Sequence, residues 1–242
     1  HELRSMKLTE DQLLSAAKAW EAKIIEAGEI APTADDASFR AMPALLLGFY
    51  SNGEREQQKL EFIGKLKGSS NVMYRKLANG ADYVASLRTR PIELKFTAID
   101  GREVDFSQLR GKVVLLDFWA TGCHPCLAEV QNLRTVYEKY RQRGFEIVGV
   151  ACEMSERDRE NVLLHMEKES VSWPQYFGTR GLQNDIASRF SVTGLPSHFL
   201  FDQDGLLIEQ WRGGPTAVEQ LEDLIRGALG PRTRDPMRSP YP

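Results

Sequence analysis

The sequence predicts an all-α helical module followed by an α/β domain with a mixed central sheet flanked by helices. Three observations carry this. Residues 1–90 space their apolar side chains at helical intervals and show no strand-like alternation. Beyond Pro91, two continuous apolar runs, Val113 to Phe118 and Phe145 to Ala151, flank a long helical stretch. That is the pattern of buried parallel strands joined by a right-handed crossover. A strand pair and a last helix follow, which makes the sheet mixed. With roughly 150 residues per domain as a guide, 242 residues have room for both parts.

Taken in order, Thr9-Glu10-Asp11 suits a helix start, and Leu13, Ala17, Trp20 and Ile24 fall on one face. Ala34 to Tyr50 predicts a second helix, bent or restarted at Pro43. Leu60, Ile63 and Leu66 mark a third, ending at Gly68; Met73, Leu77, Val84 and Leu87 mark a fourth, with Gly80 as an internal weakness. The run Leu45-Leu46-Leu47 with Phe49-Tyr50 reads as bundle core. Helical spacing stops at Arg88-Thr89-Arg90-Pro91, so the domain boundary is set at 90/91. Asp100-Gly101 then turns a hairpin between Lys95–Ile99 and Arg102–Phe106. Cys126 to Arg143 predicts a helix closing at Gly144, Glu156 to Ser170 another, and Leu182 to Phe190 a short one. Ser197 to Phe201 and Leu206 to Gln210 are strands around Asp204-Gly205. Pro215 opens and Gly230 closes a final helix. The proline-rich segment 231–242 reads as a mobile tail.

Composition narrows the function. Apolar residues make up 42% and charged residues 27%, ordinary for a globular chain. The net charge is −3, divided as +1 over residues 1–90, −6 over 91–230 and +2 in the tail. This balance offers no phosphate track and argues against nucleic acid as a partner. The longest weakly polar window, Ala41 to Tyr50, falls short of the roughly 20 residues a spanning helix needs. His1 to Met6 carries no signal-peptide pattern and reads as an expression scar or a processed end. Three cysteines, Cys123, Cys126 and Cys152, are too few for a disulfide scaffold. A single C-x-x-C cannot complete a structural zinc site, so no metal is expected.

The informative segment is Phe118-Trp119-Ala120-Thr121-Gly122-Cys123-His124-Pro125-Cys126, where a buried strand gives way to a helix. A thiol at a helix N-terminus sees the positive end of the helix dipole and unpaired N–H groups, and both favour the nucleophilic thiolate. Pro125 fits the first turn without loss, and His124 adds a cation when protonated. Cys123 is therefore expected to attack a substrate disulfide, and Cys126, one turn further in, to resolve the mixed disulfide. Cys152 also follows a strand, which leaves it either near the site or as a small buried hydrophobe. His165 and His198 lack metal spacing; His198 is read as a half-buried strand histidine or a border of the substrate groove.

The segment Trp119-Ala-Thr-Gly-Cys-His-Pro-Cys resembles the W-A-x-x-C-x-x-C of thioredoxins, and Phe190-Ser-Val-Thr-Gly-Leu-Pro-Ser-His-Phe-Leu-Phe-Asp-Gln-Asp-Gly resembles a later segment of the TlpA/ResA-like thiol–disulfide oxidoreductases. The resemblance covers about residues 92–230 and leaves residues 1–90 outside. Two departures stand out: Gly122 replaces a usual aromatic, and His-Pro is an uncommon dipeptide between the cysteines. The resemblance implies a thioredoxin fold and an enzyme that exchanges dithiol for disulfide on protein clients, as a reductase outside the cytoplasm, supplied by an upstream thiol donor. No cofactor beyond the Cys123–Cys126 pair is implied. Trp119, Leu195 and Pro196 match substrate-side positions, with Pro196 in cis so that the Leu195 backbone can pair with an extended client; without the resemblance Pro196 reads as an ordinary turn proline. Asp117 matches the buried acid beneath the site, able to take the Cys126 proton through a water. Its desolvation would raise its pKa, unless it is a strand-end acid reaching solvent. Glu129 matches an active-site glutamate of the ResA-like branch, or is simply an acid favoured by the helix dipole.

Two other classes remain open from sequence: a scaffold protein using the fold passively, against which the intact C-x-x-C argues, and a peroxide reductase. The latter needs a Thr and a Pro in the motif of its reactive cysteine, and Thr121-Gly122-Cys123 lacks the proline.

Overall fold

The computed structural model describes residues 9–31, 37–50, 55–213 and 218–230. The segments expected to hold the Pro215 helix start and the mobile tail lie outside them. The chain divides into two compact units, His1–Asp82 and Tyr83–Pro242. Among the described residues, no helix is long and apolar enough to cross a membrane.

The first unit holds α1 (Glu10–Ile30), α2 (Ala37–Tyr50), α3 (Glu56–Gly68) and most of α4 (Val72–Ser86). Helix α1 opens with a capping box: Gln12 N–H donates to Thr9 Oγ1, and Thr9 N–H donates to Gln12 Oε1. Pro43 sits inside a continuous α2 rather than restarting it. The core joins Ala17 and Ile24 to Leu46, Leu47, Tyr50, Phe62, Ile63 and Leu66. Trp20, expected on the inner face of α1, is 51% exposed, as are Leu45 and Leu60 in large part. The buried stripe runs instead through Ala17, Glu21, Ile24 and Gly28. The pattern misled because Glu21 takes an inner position: it accepts from the Tyr50 hydroxyl and pairs with Lys65. Gly28 is required there, since a Cβ would lie 2.5 Å from the Tyr74 ring.

The second unit is built on a five-stranded sheet. Its strands are β3 (Val113–Trp119), β4 (Phe145–Cys152), β5 (Gln175–Gly178), β6 (Ser197–Phe201) and β7 (Leu207–Arg212), after a separate hairpin of β1 (Lys95–Thr97) and β2 (Glu103–Asp105). The order is β5-β4-β3-β6-β7, with β3, β4 and β5 parallel and β6 and β7 antiparallel to their neighbours. Helices α5 (His124–Tyr140), α6 (Arg159–Lys168), α7 (Asp185–Arg189) and α8 (Val218–Leu229) complete the unit. Alternation along β3 sorts its side chains by face. Leu116 and Phe118 pack with Val148, Phe199 and Phe190 on one side. Val113 and Leu115 pack with Leu133, Val136, Leu221 and Ile225 on the other.

Two readings change. The division falls inside α4 rather than at 90/91. Tyr83 meets the Phe190 ring edge-on at 5.4 Å, Val84 and Leu87 join the sheet core, and Leu207 N–H donates to Leu87 O. Helical spacing alone could not show that α4 spends its last turn on another core. Strand β5 adds to the sequence pattern: four residues beginning with a buried Gln175 carry little strand signal, and pairing with β4 is what orders them.

Candidate active site

Strand β3 ends at Trp119 and α5 begins at His124, so Ala120 to Cys123 form the link at the C-terminal edge of the parallel strands. Sites in open α/β sheets gather at this edge. Cys123 is the N-cap of α5 in extended conformation, and Cys126 N–H points at its Sγ at 3.3 Å. Cys123 and Cys126 are disulfide-bonded, with Cα atoms 5.3 Å apart. The two sulfurs are not equivalent: Cys123 is half-buried, whereas Cys126 is 1% exposed. His124 and Pro125 are exposed beside them. At Gly122 a Cβ would meet nothing within 4 Å, so the missing aromatic leaves open space next to Cys123.

The link is tied from below by a residue that sequence reasoning missed. Glu153, buried just after β4, accepts from Thr121 N–H at 2.7 Å and from Thr121 Oγ1 at 3.1 Å. Trp119, expected on the substrate side, is 4% exposed and packs with Cys126, Ala151, Val162 and Met166. Its Nε1–H donates to Gln175 Oε1, and its ring meets that of His165 at 5.2 Å. It floors the site rather than facing a client. Burial holds His165 below the usual histidine range. Leu195, half-buried, packs on the same cluster as Cys126, and the Leu195–Pro196 bond is cis. Cys152 packs with Val148, Val150 and Phe190, in the other cluster, and receives Asn184 Nδ2–H at 3.4 Å. The structure thus leaves it as a buried hydrophobe away from the pair.

Asp117, Glu129 and His198 meet beneath α5, all buried. Asp117 and His198 are directly opposed across β3 and β6, and Glu129 comes down from α5, three residues after Cys126. Asp117 sits on β3 between Leu115, in the α5/α8 cluster, and Trp119, in the Cys126 cluster. His198 Nε2 lies 2.7 Å from Glu129 Oε1 and 3.3 Å from Asp117 Oδ1. The nitrogen's single hydrogen serves Glu129. Asp117 Oδ1 and His198 Nδ1 find no hydrogen-bond partner among the described residues. Burial opposes the imidazolium, but the Asp117 and Glu129 carboxylates that face Nε2 outweigh it and raise His198 to about 9. Trp211, its neighbour on β7, stacks on the ring at 4.8 Å and 17°. His198 is therefore neither half-buried nor on a groove. The three side chains offer ligand atoms within 4.8 Å of one another.

Residues 89–210 match the AhpC/TSA family. The thiol-disulfide oxidoreductase ResA of Bacillus anthracis is 31% identical over 130 residues, 54% of this chain and 71% of that one. The protein of the same name from Bacillus subtilis is 29% identical over 129 residues, 52% and 69% of the two chains. A Chlorobium tepidum structure described as a thiol:disulfide interchange protein of the DsbE type superposes with a TM-score of 0.51 at 28% identity, covering 58% of this chain and 96% of that one. A second Chlorobium tepidum structure, of a thioredoxin family protein, gives 0.50 at 24% identity, 59% and 99% covered, and supports the fold. The disulfide at a strand-to-helix junction agrees with these relatives, and the chain belongs to the AhpC/TSA family as a thioredoxin-fold thiol–disulfide oxidoreductase.

Proposed function

We propose that the protein reduces disulfides of client proteins outside the cytoplasm, with the Cys123–Cys126 dithiol as its own electron carrier. The observation that carries this reading is the unequal placement of two thiols within one turn, Cys123 half-buried at the helix cap and Cys126 at 1% exposure behind it. In the dithiol form the Cys123 thiolate attacks one sulfur of the client disulfide. The client S–S bond breaks, its other sulfur leaves as a thiolate and takes a proton, and a mixed disulfide remains. Cys126 then gives its proton to a base, attacks Cys123 Sγ and expels the second client sulfur. Two electrons have passed to the client, and an upstream thiol donor returns them.

The remaining roles belong to the same proposal. Asp117 takes the Cys126 proton through a water and Glu129 tunes the thiols, while protonated His124 favours the Cys123 thiolate. The Leu195 backbone beside Pro196 pairs with an extended client segment. Disulfides persist in oxidising compartments, and the motif resemblance points the same way for location. A membrane-impermeant alkylating reagent applied to intact cells after mild reduction should label Cys123; protection would put the protein inside.

Insulin reduction compared with peroxide consumption tests the activity. Dithiothreitol-driven insulin reduction should be fast and lost in Cys123→Ser, with peroxide consumption no faster than free thiol. The reverse order would favour a peroxide reductase, and neither activity would favour a passive scaffold.

A further inference from the structure

We propose that His198 is a positioning residue for the resolving step: as a buried imidazolium it holds Asp117 and Glu129 ionised together, so that a carboxylate is ready to accept the Cys126 proton. The proposal rests on the exchange reading above and adds a residue to it.

The geometry comes from three elements. From β3, Asp117 places Oδ1 3.3 Å from Nε2, and from α5, Glu129 places Oε1 2.7 Å from the same nitrogen. From β7, Trp211 contributes an uncharged ring stacked on the imidazole. These two carboxylates are the charged groups that face the ring nitrogen. Their oxygens share one nitrogen and lie within 4.8 Å of each other and of it. Two buried carboxylates this close hold one proton between them unless a cation stands beside them. The imidazolium supplies that cation and leaves one net negative charge behind Cys126. Leaving Nδ1–H without a partner costs less than burying two carboxylates with no counter-charge. A stacked indole favours the charged ring as well.

The unpartnered Oδ1 of Asp117 follows from this arrangement. Glu129 is occupied by the Nε2–H donor, while Asp117 Oδ1 keeps a lone pair for a proton. In the resolving step the proton of Cys126 passes to that carboxylate, and the Cys126 thiolate forms the S–S bond to Cys123. The bond from Cys123 to the client breaks, and the client thiolate takes a proton from solvent. Without the imidazolium, Asp117 and Glu129 would already share a proton, and the acceptor would be filled.

Two rates in the full chain separate this from a merely structural role: formation of the mixed disulfide with a model disulfide, and its resolution. In His198→Gln, resolution at pH 7 should slow at least tenfold and recover as pH rises and the shared proton is lost, while formation changes less than twofold. The wild-type resolution rate should stay nearly flat from pH 6 to 8. Equal resolution rates and pH profiles in the two proteins would overturn the role of His198, whereas a wild type that forms no mixed disulfide would overturn the exchange reading itself. Imidazole nitrogen NMR of the wild type settles the matter even if the variant fails to fold: a charged ring at pH 7 is expected, and a neutral one, or a stoichiometric metal ion held at this position, contradicts the proposal.

Discussion

Cys123 and Cys126 were legible because the chemistry is local: two thiols, a strand end and a helix start fall within nine residues of sequence, from Phe118 to Cys126. Glu153 was not legible, because nothing in its own segment says that its carboxylate ties Thr121 N–H and Oγ1. Glu153→Ala removes both acceptors and should destabilise the domain by about 1–3 kcal/mol, two half-buried hydrogen bonds at about 0.5–1.5 kcal/mol each. Urea unfolding measures this, and an unchanged midpoint would mean that the link holds itself. His198 escaped for a similar reason, since it meets Glu129 across 69 residues of sequence. His124 is a milder case. It is exposed, so solvent screens its charge, and His124→Ala should lower the potential of the couple by on the order of 20 mV, most clearly at acid pH. The sign follows from the reduced form, because only there does a thiolate exist for the imidazolium to stabilise. Equilibration with glutathione at pH 5 to 8 reads the shift, and a potential that stays level or rises would mean that the helix terminus alone favours the thiolate.

Among elements, those marked by long apolar runs or sustained helical spacing were readable: β3, β4, β6, α1 and α5 lie within a few residues of where the pattern puts them. Weak or shared elements were not. Strand β5 is ordered by its pairing to β4, and the end of α4 with the turn after it places Tyr83, Val84 and Leu87 in the core of the second unit although the helical spacing is uninterrupted. This has a consequence for dissecting the chain. A fragment of residues 83–230 should fold cooperatively and keep thiol exchange. One of residues 91–230 loses Leu87, 2% exposed, together with the Leu87 O that receives Leu207 N–H, and should be markedly less stable. Deleting a buried leucine side chain alone costs about 2–5 kcal/mol. Thermal melts of the two fragments decide, and equal melting temperatures would return the boundary to 90/91.

At the scale of the whole molecule, the buried ion cluster makes stability depend on pH. His198 is raised from an ordinary 6.5 to about 9 in the folded chain. Its stabilising contribution is therefore complete below pH 6.5 and lost as pH climbs through about 9, a change of about 3 kcal/mol. Unfolding free energy should fall between pH 6.5 and 9.5; a level profile would mean that the ring titrates alike folded and unfolded. The fold, the redox pair and this cluster converge on one claim, that Cys123 exchanges with protein disulfides and Cys126 resolves the product. The most direct test is to incubate reduced Cys126→Ser protein with a disulfide-bonded protein and map the adducts. A stable mixed disulfide should accumulate at Cys123, vanish on adding dithiothreitol and be absent in Cys123→Ser. No adduct, or one at Cys152, would contradict the account.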